Sequence, residues 1–252
     1  REKMIWHIER ETAQKRGMVS IQSNYSPNRS KQEFYTLDCF DHRVRVIVTA
    51  APSIVRRWVH TTLYLHRHIL RRGRLSVGLG VQWPPDRPYD PSTLQLCVGR
   101  RCLVFQIHHA DACPAVLRRF LSDARVTFVG AWNHRDADLL RDSPHRLRIS
   151  RLLDVRDVAD DRRGCGRRLS LERLAEEILG WDGIVKEERV GRSAWDDDWL
   201  TEEQVEYACV DVFVVFKMAK VLRAWNWPLG FVDNVFGNWF IVVLWIVYAF
   251  GC

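Results

Sequence analysis

Residues 200–218 read LTEEQVEYACVDVFVVFKM, and this stretch contains the clearest local signals in the chain. Thr201, with Gln204 three residues later, matches a capping box, in which two side chains satisfy free N–H groups at a helix start. The spacing therefore predicts a long helix beginning here. Tyr207 and Asp211 are four residues apart and lie on one face of that helix. A phenol and a carboxylate side by side can position a metal ion and a water, although such a pair alone is also typical of an ordinary helix surface.

Upstream of this helix, the hydrophobic pattern alternates between strands and helices. The predicted strands are Phe34–Phe40, Arg43–Ala50, Leu75–Trp83, Leu94–Val98, Cys102–His108, Val126–Trp132 and Leu152–Val155. The predicted helices are Pro52–Leu70, Pro114–Leu121, His134–Leu140, one capped by Ser170, and one from Thr201 to about Ala224. An early antiparallel meander followed by alternating helices and strands indicates an α/β domain, with a mixed sheet flanked by helices.

Composition and charge narrow the class of protein. The chain has 252 residues, of which 47% are hydrophobic and 27% are charged, so most of it is neither disordered nor a multi-span membrane protein. Its net charge of +7 is a mild basic excess that suits a polyanionic partner. Residues 42–74 hold eight Arg and four His without an acid, which predicts either a polyanion-binding surface or a solvated helix face.

The cysteines and the N-terminal residues bear on the cellular compartment. The seven cysteines include no CxxC pair and no metal-ligand spacing, which indicates reduced thiols rather than a disulfide framework. Residues 1–17 contain several bases and lack the apolar core of a signal peptide. We therefore expect a nuclear or cytoplasmic location, or both.

The chain is expected to divide into three parts. Residues 1–30 are predicted to form a disordered extension, residues 31–225 the domain, and residues 226–252 a hydrophobic tail. The tail contains an unbroken apolar run of twelve residues, Trp239 to Phe250. As a helix this run spans roughly 18 Å, short of the ~30 Å bilayer core. Three interpretations stay open: packing against the domain or a second chain, a short membrane anchor, or an artefact of the gene sequence.

Asp136 and the stretch VGLGVQW at 77–83 add candidate site residues. Asp136 follows a predicted strand and begins a helix, where an α/β fold collects its functional groups, although an acid there also suits the helix dipole. The glycines of 77–83 do not fit a dinucleotide-binding loop. The third glycine of that motif would fall at Trp83, and the prolines at 84–85 prevent the helix that should follow.

Four segments, taken in order, resemble a known family. They are VGLGVQWPP at 77–85, FVGAWNHRDADLLRD at 128–142, LSLERLAEEILG at 169–180, and the stretch 200–218 with its Tyr-x-x-x-Asp. Together they resemble the 3′–5′ exonucleases of the DnaQ/ribonuclease H-like fold, in the tyrosine-containing subclass. They are most similar to the Werner-syndrome-type exonuclease domains of plants. The resemblance spans roughly residues 31–224.

The resemblance implies two-metal phosphodiester hydrolysis, in which four carboxylates hold two Mg²⁺ or Mn²⁺ ions and a tyrosine orients the water. Asp136 and Asp211 match two of those carboxylates, and Tyr207 matches the tyrosine. The first motif departs from the family, because Gly80 replaces its Asp and Gln82 its Glu. Glycine supplies no ligand and a neutral amide oxygen is a weak one, so we expect hydrolysis to be weak or lost.

The implied partner is nucleic acid, either RNA or single-stranded or 3′-recessed DNA. Trp83 is a candidate for stacking on a terminal base, with the core as the alternative location for its ring, and Arg135 is a candidate nucleic-acid contact. Two alternatives stay open. The first is a pseudo-exonuclease that binds 3′ ends or joins related subunits in a homo- or hetero-oligomer. The second is an interaction protein anchored in a membrane through the tail.

Overall fold

A computed structural model describes residues 19–24, 32–87 and 89–228. Within this part of the chain, eight strands form one sheet. They are β1 (Val19–Asn24), β2 (Glu33–Cys39), β3 (His42–Thr49), β4 (Leu75–Gln82), β5 (Thr93–Val98), β6 (Arg101–Phe105), β7 (Val126–Gly130) and β8 (Leu152–Asp154). The helices are α1 (Pro52–Leu65), α2 (Arg67–Arg71), α3 (Ala115–Leu121), α4 (Asp136–Asp142), α5 (Val155–Arg163), α6 (Leu171–Leu179), α7 (Glu188–Gly191) and α8 (Glu202–Val221).

The sheet is mixed, with the strand order β1-β2-β3-β6-β5-β4-β7-β8. The meander β1-β2-β3 and the run β6-β5-β4 are antiparallel, while β3 pairs with β6, β4 with β7 and β7 with β8 in parallel. The connection between the two strands of each parallel pair contains at least one helix, as is usual for the crossovers that join parallel strands. The predicted α/β class with a mixed sheet flanked by helices is confirmed.

Helix α8 begins at the predicted capping box. The Oγ1 atom of Thr201 accepts from the Gln204 backbone N–H at 3.2 Å, and the Gln204 side-chain oxygen accepts from the Thr201 N–H at 2.8 Å. The helix crosses β4 in very close contact. A Cβ atom placed on Gly78 would lie 2.0 Å from the backbone oxygen of Val212. The glycines of β4 therefore let α8 approach the sheet, and the position of Tyr207 and Asp211 depends on that approach.

The structure differs from the predicted elements at several points. The helix predicted over Pro52–Leu70 is divided at His66, and the strand predicted to end at Trp132 ends at Gly130. Trp132 cannot continue the strand because its φ is 57°. Helix α5 follows β8 directly and was not predicted. It has only three buried residues, so its apolar stripe is a weak signal.

The two ends of the chain also bear on the predicted organisation. The extension over residues 1–30, expected to be disordered, contributes strand β1, which pairs antiparallel with β2 along six residues. The apolar run from Trp239 to Phe250 lies outside the described residues. Among the described helices, none combines the length and apolar character needed to cross a bilayer.

Candidate active site at the carboxyl ends of the central strands

The candidate residues lie on elements that meet at one edge of the sheet. Strands β4, β7 and β8 are parallel, so their carboxyl ends point the same way. Gln82 ends β4, Asp136 begins the helix after β7, and Asp154 ends β8. This edge is where an open α/β sheet places its ligands.

At position 80, where the resemblance implies a carboxylate, the chain has a glycine, and the space beside it is occupied by a neighbouring side chain. Gly80 pairs with Gln95 on the neighbouring strand β5. A Cβ atom on Gly80 would lie 2.8 Å from the Oε1 atom of Gln95 and 3.0 Å from Cγ1 of Val212. Gln95 is fully buried, and its Nε2 donates to Oγ1 of Thr93 at 2.5 Å. Its Oε1 has no hydrogen-bond partner among the described residues.

Gln82 and Trp83 lie at the end of β4. Both are partly buried, and Trp83 packs against the hydrophobic core. This placement favours the core interpretation of Trp83 over an open stacking surface. Gln82 offers an amide oxygen at the position of the family glutamate, and this group carries no charge.

Asp136 is a buried acid at the start of α4. Burial, followed by the nearby charge of Asp154, raises the pKa of Asp136 from 3.8 to about 7. Asp154 itself is held in place by two contacts: its carboxylate pairs with the Arg156 guanidinium at 2.6 Å and accepts from the Trp132 backbone N–H at 3.0 Å. Asp136 therefore lies beside a carboxylate whose charge is balanced by an arginine.

The pKa of Asp136 gives a testable pH dependence. A carboxyl group with a raised pKa binds its proton more tightly in the folded state, so the protein loses stability as the pH rises from about 4 to 7. We expect Asp136→Asn to raise the free energy of unfolding at pH 8 by on the order of 2–4 kcal/mol and to change it little near pH 4. Thermal melts in EDTA at the two pH values measure the difference. Asp138→Asn, on the exposed side of the same helix turn, serves as control. A variant less stable than the wild type at pH 8 would contradict the assignment.

Tyr207 and Asp211 lie together on α8, and a lysine joins them. The Lys186 ammonium lies 2.8 Å from Oδ1 and 2.9 Å from Oδ2 of Asp211, and 4.7 Å from the centre of the Tyr207 ring. Burial lowers the pKa of Lys186, but the charges of Asp211 and Tyr207 outweigh this effect and leave the pKa raised. Burial also raises the pKa of Asp211, against the opposing charge of Lys186. The hydroxyl of Tyr207 packs against Gly191, where an added Cβ would lie 2.6 Å away.

The structure thus brings Tyr207 and Asp211 together through Lys186, while Asp136 lies beside Asp154. Sequence reasoning did not identify Lys186 or Gln95, because the contacts of each join segments that are far apart in the chain. Lys186 lies 25 residues before Asp211 in a segment without regular structure. Gln95 is one residue of a uniformly buried strand.

The side chains present do not fit the family's two-metal centre. Position 80 supplies no oxygen and its space is filled by Gln95, while position 82 supplies a neutral one. Both oxygens of Asp211 already contact an ammonium group. In the described part of the chain, no group of three or more His, Cys, Asp or Glu side chains could hold a metal ion. Hard divalent cations favour several anionic oxygens, and this arrangement does not offer them.

Two exposed aromatic rings, each with an arginine beside it, lie near this edge. The Trp132 ring is 54% exposed and lies 3.4 Å from the Arg156 guanidinium, while the Tyr89 ring is 70% exposed and lies 5.0 Å from that of Arg135. We call these four residues the arginine–aromatic face. Exposed aromatic rings provide flat surfaces on which the planar rings of bases can stack. Arg135 adds positive charge beside Tyr89, whereas the charge of Arg156 is balanced by Asp154. Sequence reasoning identified Arg135 but missed the other three.

Comparison with known proteins places the chain among nucleases. The sequence profile of the 3′–5′ exonuclease family matches residues 91–224, a range that includes Asp136, Tyr207 and Asp211 and begins after β4. The mouse bifunctional 3′-5′ exonuclease/ATP-dependent helicase WRN is 29% identical over 145 residues, covering 54% of this chain and 10% of that protein. A 3′-5′ exonuclease of Arabidopsis thaliana is 27% identical over 158 residues, covering 60% of this chain and 54% of that protein.

The fold agrees with the sequence match. The crystal structure of Escherichia coli RNase D superposes with a TM-score of 0.51 at 20% identity, covering 63% of this chain and 42% of RNase D. The matched region is about half the length of the Arabidopsis relative and a tenth of the mouse protein. Since the family profile covers more than half of the chain and the sheet has the ribonuclease H-like arrangement, this protein belongs to the 3′–5′ exonuclease family.

Proposed function

We propose that this domain binds the 3′ ends of single-stranded nucleic acid and hydrolyses them weakly or not at all. The observation that carries the proposal is the arginine–aromatic face beside the buried Asp136. Exposed Trp132 and Tyr89 offer stacking surfaces for unpaired bases, and Arg135, beside Tyr89, offers positive charge for the phosphates. The guanidinium of Arg156 holds the Trp132 ring in place while its own charge is balanced by Asp154. Family membership supports a nucleic-acid partner.

The proposed loss of hydrolysis follows from the small number of carboxylates at the site. The family reaction needs divalent metal ions held by four acids, whereas the chain keeps Asp136 and Asp211 and has Gly80 and Gln82 at the other positions. Two carboxylates offset only half of the charge of two divalent ions. The match to mouse WRN supports the proposal that the domain derives from the Werner-type branch of the family.

Stacking on Trp132 gives a direct test of the binding surface. We expect Trp132→Asn to weaken binding of a 5′-labelled single strand roughly 5- to 150-fold, since stacking contributes about 1–3 kcal/mol per base. Asparagine is chosen because it tolerates the left-handed backbone at this position. Fluorescence anisotropy measures the affinity, and melting curves check that the variant folds.

Tyr64→Ala is the matched control. Tyr64 is an exposed ring with the Arg67 guanidinium 4.7 Å from its centre, but it lies on α1. The proposal predicts that this variant binds the oligonucleotide as the wild type does. If the two variants weaken binding equally, or if neither does, the arginine–aromatic face is not the binding surface. A strand blocked by a hairpin at its 3′ end tests whether a free end is required.

A further inference from the structure

The contacts of Lys186 bear on how the charge of the Asp211 carboxylate is balanced without a metal ion. The inference concerns the non-hydrolytic half of the proposed function and rests on it. We propose that the Lys186 ammonium takes the place of a divalent cation at Asp211, so that Asp211 and Tyr207 are held by an internal cation.

The first argument is the geometry around Asp211. The ammonium donates a hydrogen bond to Oδ2 at 2.9 Å and lies 2.8 Å from Oδ1. The buried Oδ1 atom has no hydrogen-bond partner among the described residues, so the ion pair is its contact with the cation. Such contacts occupy the side of the carboxylate on which a bound cation would lie. The side chains of Lys186 and Asp211 are only 22% and 19% exposed, so water replaces this contact poorly. A metal ion could reach both oxygens only after the ammonium had moved away.

The second argument is that the segment carrying Lys186 is fixed in place. Between α6 and α7, Trp181 stacks on Phe40 with ring centres 4.7 Å apart and lies 5.9 Å from the ring of Phe213 on α8. Ile184, two residues before the lysine, is buried in the core. These contacts hold the segment against α8 from both sides of Gly183, whose φ of 85° permits the turn between them.

The third argument is the charge balance. The negative charge of Glu172 on α6 also acts on Asp211 and raises the pKa of its carboxyl group. The cavity of about 680 Å³ beside Lys186 is also lined by Glu187, Glu202, Glu203 and Glu206. Removing the lysine would leave Asp211 as a buried carboxylate without its cationic partner and within the influence of Glu172. Removing one partner of a buried ion pair strongly destabilises the folded protein. The Lys186 variant should therefore need a replacement cation beside Asp211.

The test uses the full chain with Mn²⁺ alone as the probe. Wild type, Asp211→Asn, Lys186→Met and Lys186→Met/Asp211→Asn are titrated, with free Mn²⁺ followed by electron paramagnetic resonance and stability followed by melting curves. We expect Lys186→Met to gain Mn²⁺ affinity of at least about tenfold over the wild type, because a carboxylate is freed for the cation. The gain should vanish in the double variant, and Asp211→Asn alone should leave the Mn²⁺ affinity of the wild type unchanged.

Two results obtained with folded proteins would overturn the proposal. One is a wild-type Mn²⁺ site that Asp211→Asn abolishes, since the ammonium would then not exclude the ion. The other is a folded Lys186→Met variant that binds Mn²⁺ no better than the wild type. If Lys186→Met unfolds in EDTA, recovery of the fold by Mn²⁺ or by the added Asp211→Asn supports the proposal. Failure of both to restore the fold also overturns it.

This outcome is separable from that of the proposed function. Oligonucleotide binding by the wild type is measured in EDTA, without any variant of Lys186. Its absence would refute the binding of 3′ ends and leave the Mn²⁺ comparison standing. Conversely, a failed Mn²⁺ comparison leaves the measured oligonucleotide affinity intact.

Discussion

Nuclease activity is expected to appear when four positions are changed together: Gly80→Asp, Gln82→Glu, Gln95→Ala and Lys186→Met. The first two substitutions return the carboxylates of the family motif. The third removes the side chain whose Oε1 would lie 2.8 Å from a Cβ at position 80. The fourth frees the oxygens of Asp211 from the ammonium. Asp136 then completes a set of four acids.

The expected gain is large because metal ions stabilise the charge that develops on the reacting phosphate. That stabilisation is worth several kcal/mol, and each ~1.4 kcal/mol is a factor of ten in rate. We expect release of 3′ nucleotides from single-stranded RNA or DNA, in Mg²⁺ or Mn²⁺, to rise roughly 10²- to 10⁴-fold above the wild type. Time courses with denaturing gels measure this rise.

Control variants separate the effect of the added carboxylates from the effect of removing Gln95 and Lys186. Gly80→Asp/Gln82→Glu alone should stay near the wild-type rate, since Gln95 and Lys186 still occupy the site. Adding Asp136→Asn to the quadruple variant should abolish the new activity. A wild type that cleaves as fast as the quadruple variant would refute the carboxylate argument. Equal rates for the double and quadruple variants would show that Gln95 and Lys186 do not obstruct the site, and a folded but inactive quadruple variant would contradict the prediction.

Gly78→Ala is expected to destabilise the domain severely. An added Cβ would lie 2.0 Å from the backbone oxygen of Val212, so α8 would have to move away from β4. Overpacking of a core costs typically 1–3 kcal/mol and occasionally more, and here backbone must shift rather than a side chain. We expect a loss at or above about 3 kcal/mol in the free energy of unfolding, measured by urea titration of the full chain.

Gly80→Ala, two residues along the same strand, is the matched comparison. Its Cβ would meet the side-chain atoms Gln95 Oε1 at 2.8 Å and Val212 Cγ1 at 3.0 Å. Side chains adjust more easily than a helix backbone, so this variant should lose clearly less stability. A Gly78→Ala variant as stable as Gly80→Ala would show that α8 does not lie as close to β4 as described.

Local signals explain which parts of the fold could be predicted. The capping box of Thr201 and Gln204 placed the start of α8 correctly, because both of its hydrogen bonds form within four residues. The strand predicted over Leu75–Trp83 exceeds β4 by one residue. Strand β1 was missed because none of its six residues is fully buried and the last three are exposed, which leaves little apolar pattern to detect.

The site was harder to predict, because its decisive contacts are long-range. Gln95 meets position 80 only through the register of β5 on β4, and no local pattern sets that register. Lys186 reaches Asp211 because Trp181 and Ile184 fix the segment just before the lysine against the core. The exposure of Trp132 depends on a left-handed backbone, which is unusual for a large residue. The motif spacing identified Tyr207, Asp211 and Asp136, but it could not indicate which charges surround them.

The central claim is that the domain holds 3′ ends without metal-dependent hydrolysis, and one titration tests it most directly. A 5′-labelled single strand is titrated with the wild-type chain in EDTA and in Mg²⁺, and each sample is then analysed for released nucleotides. Our account predicts the same affinity in both conditions, weakening with added salt as phosphate contacts require, and a strand that stays largely intact. Tight binding only with Mg²⁺, or release of 3′ nucleotides as fast as by the quadruple variant, would contradict it.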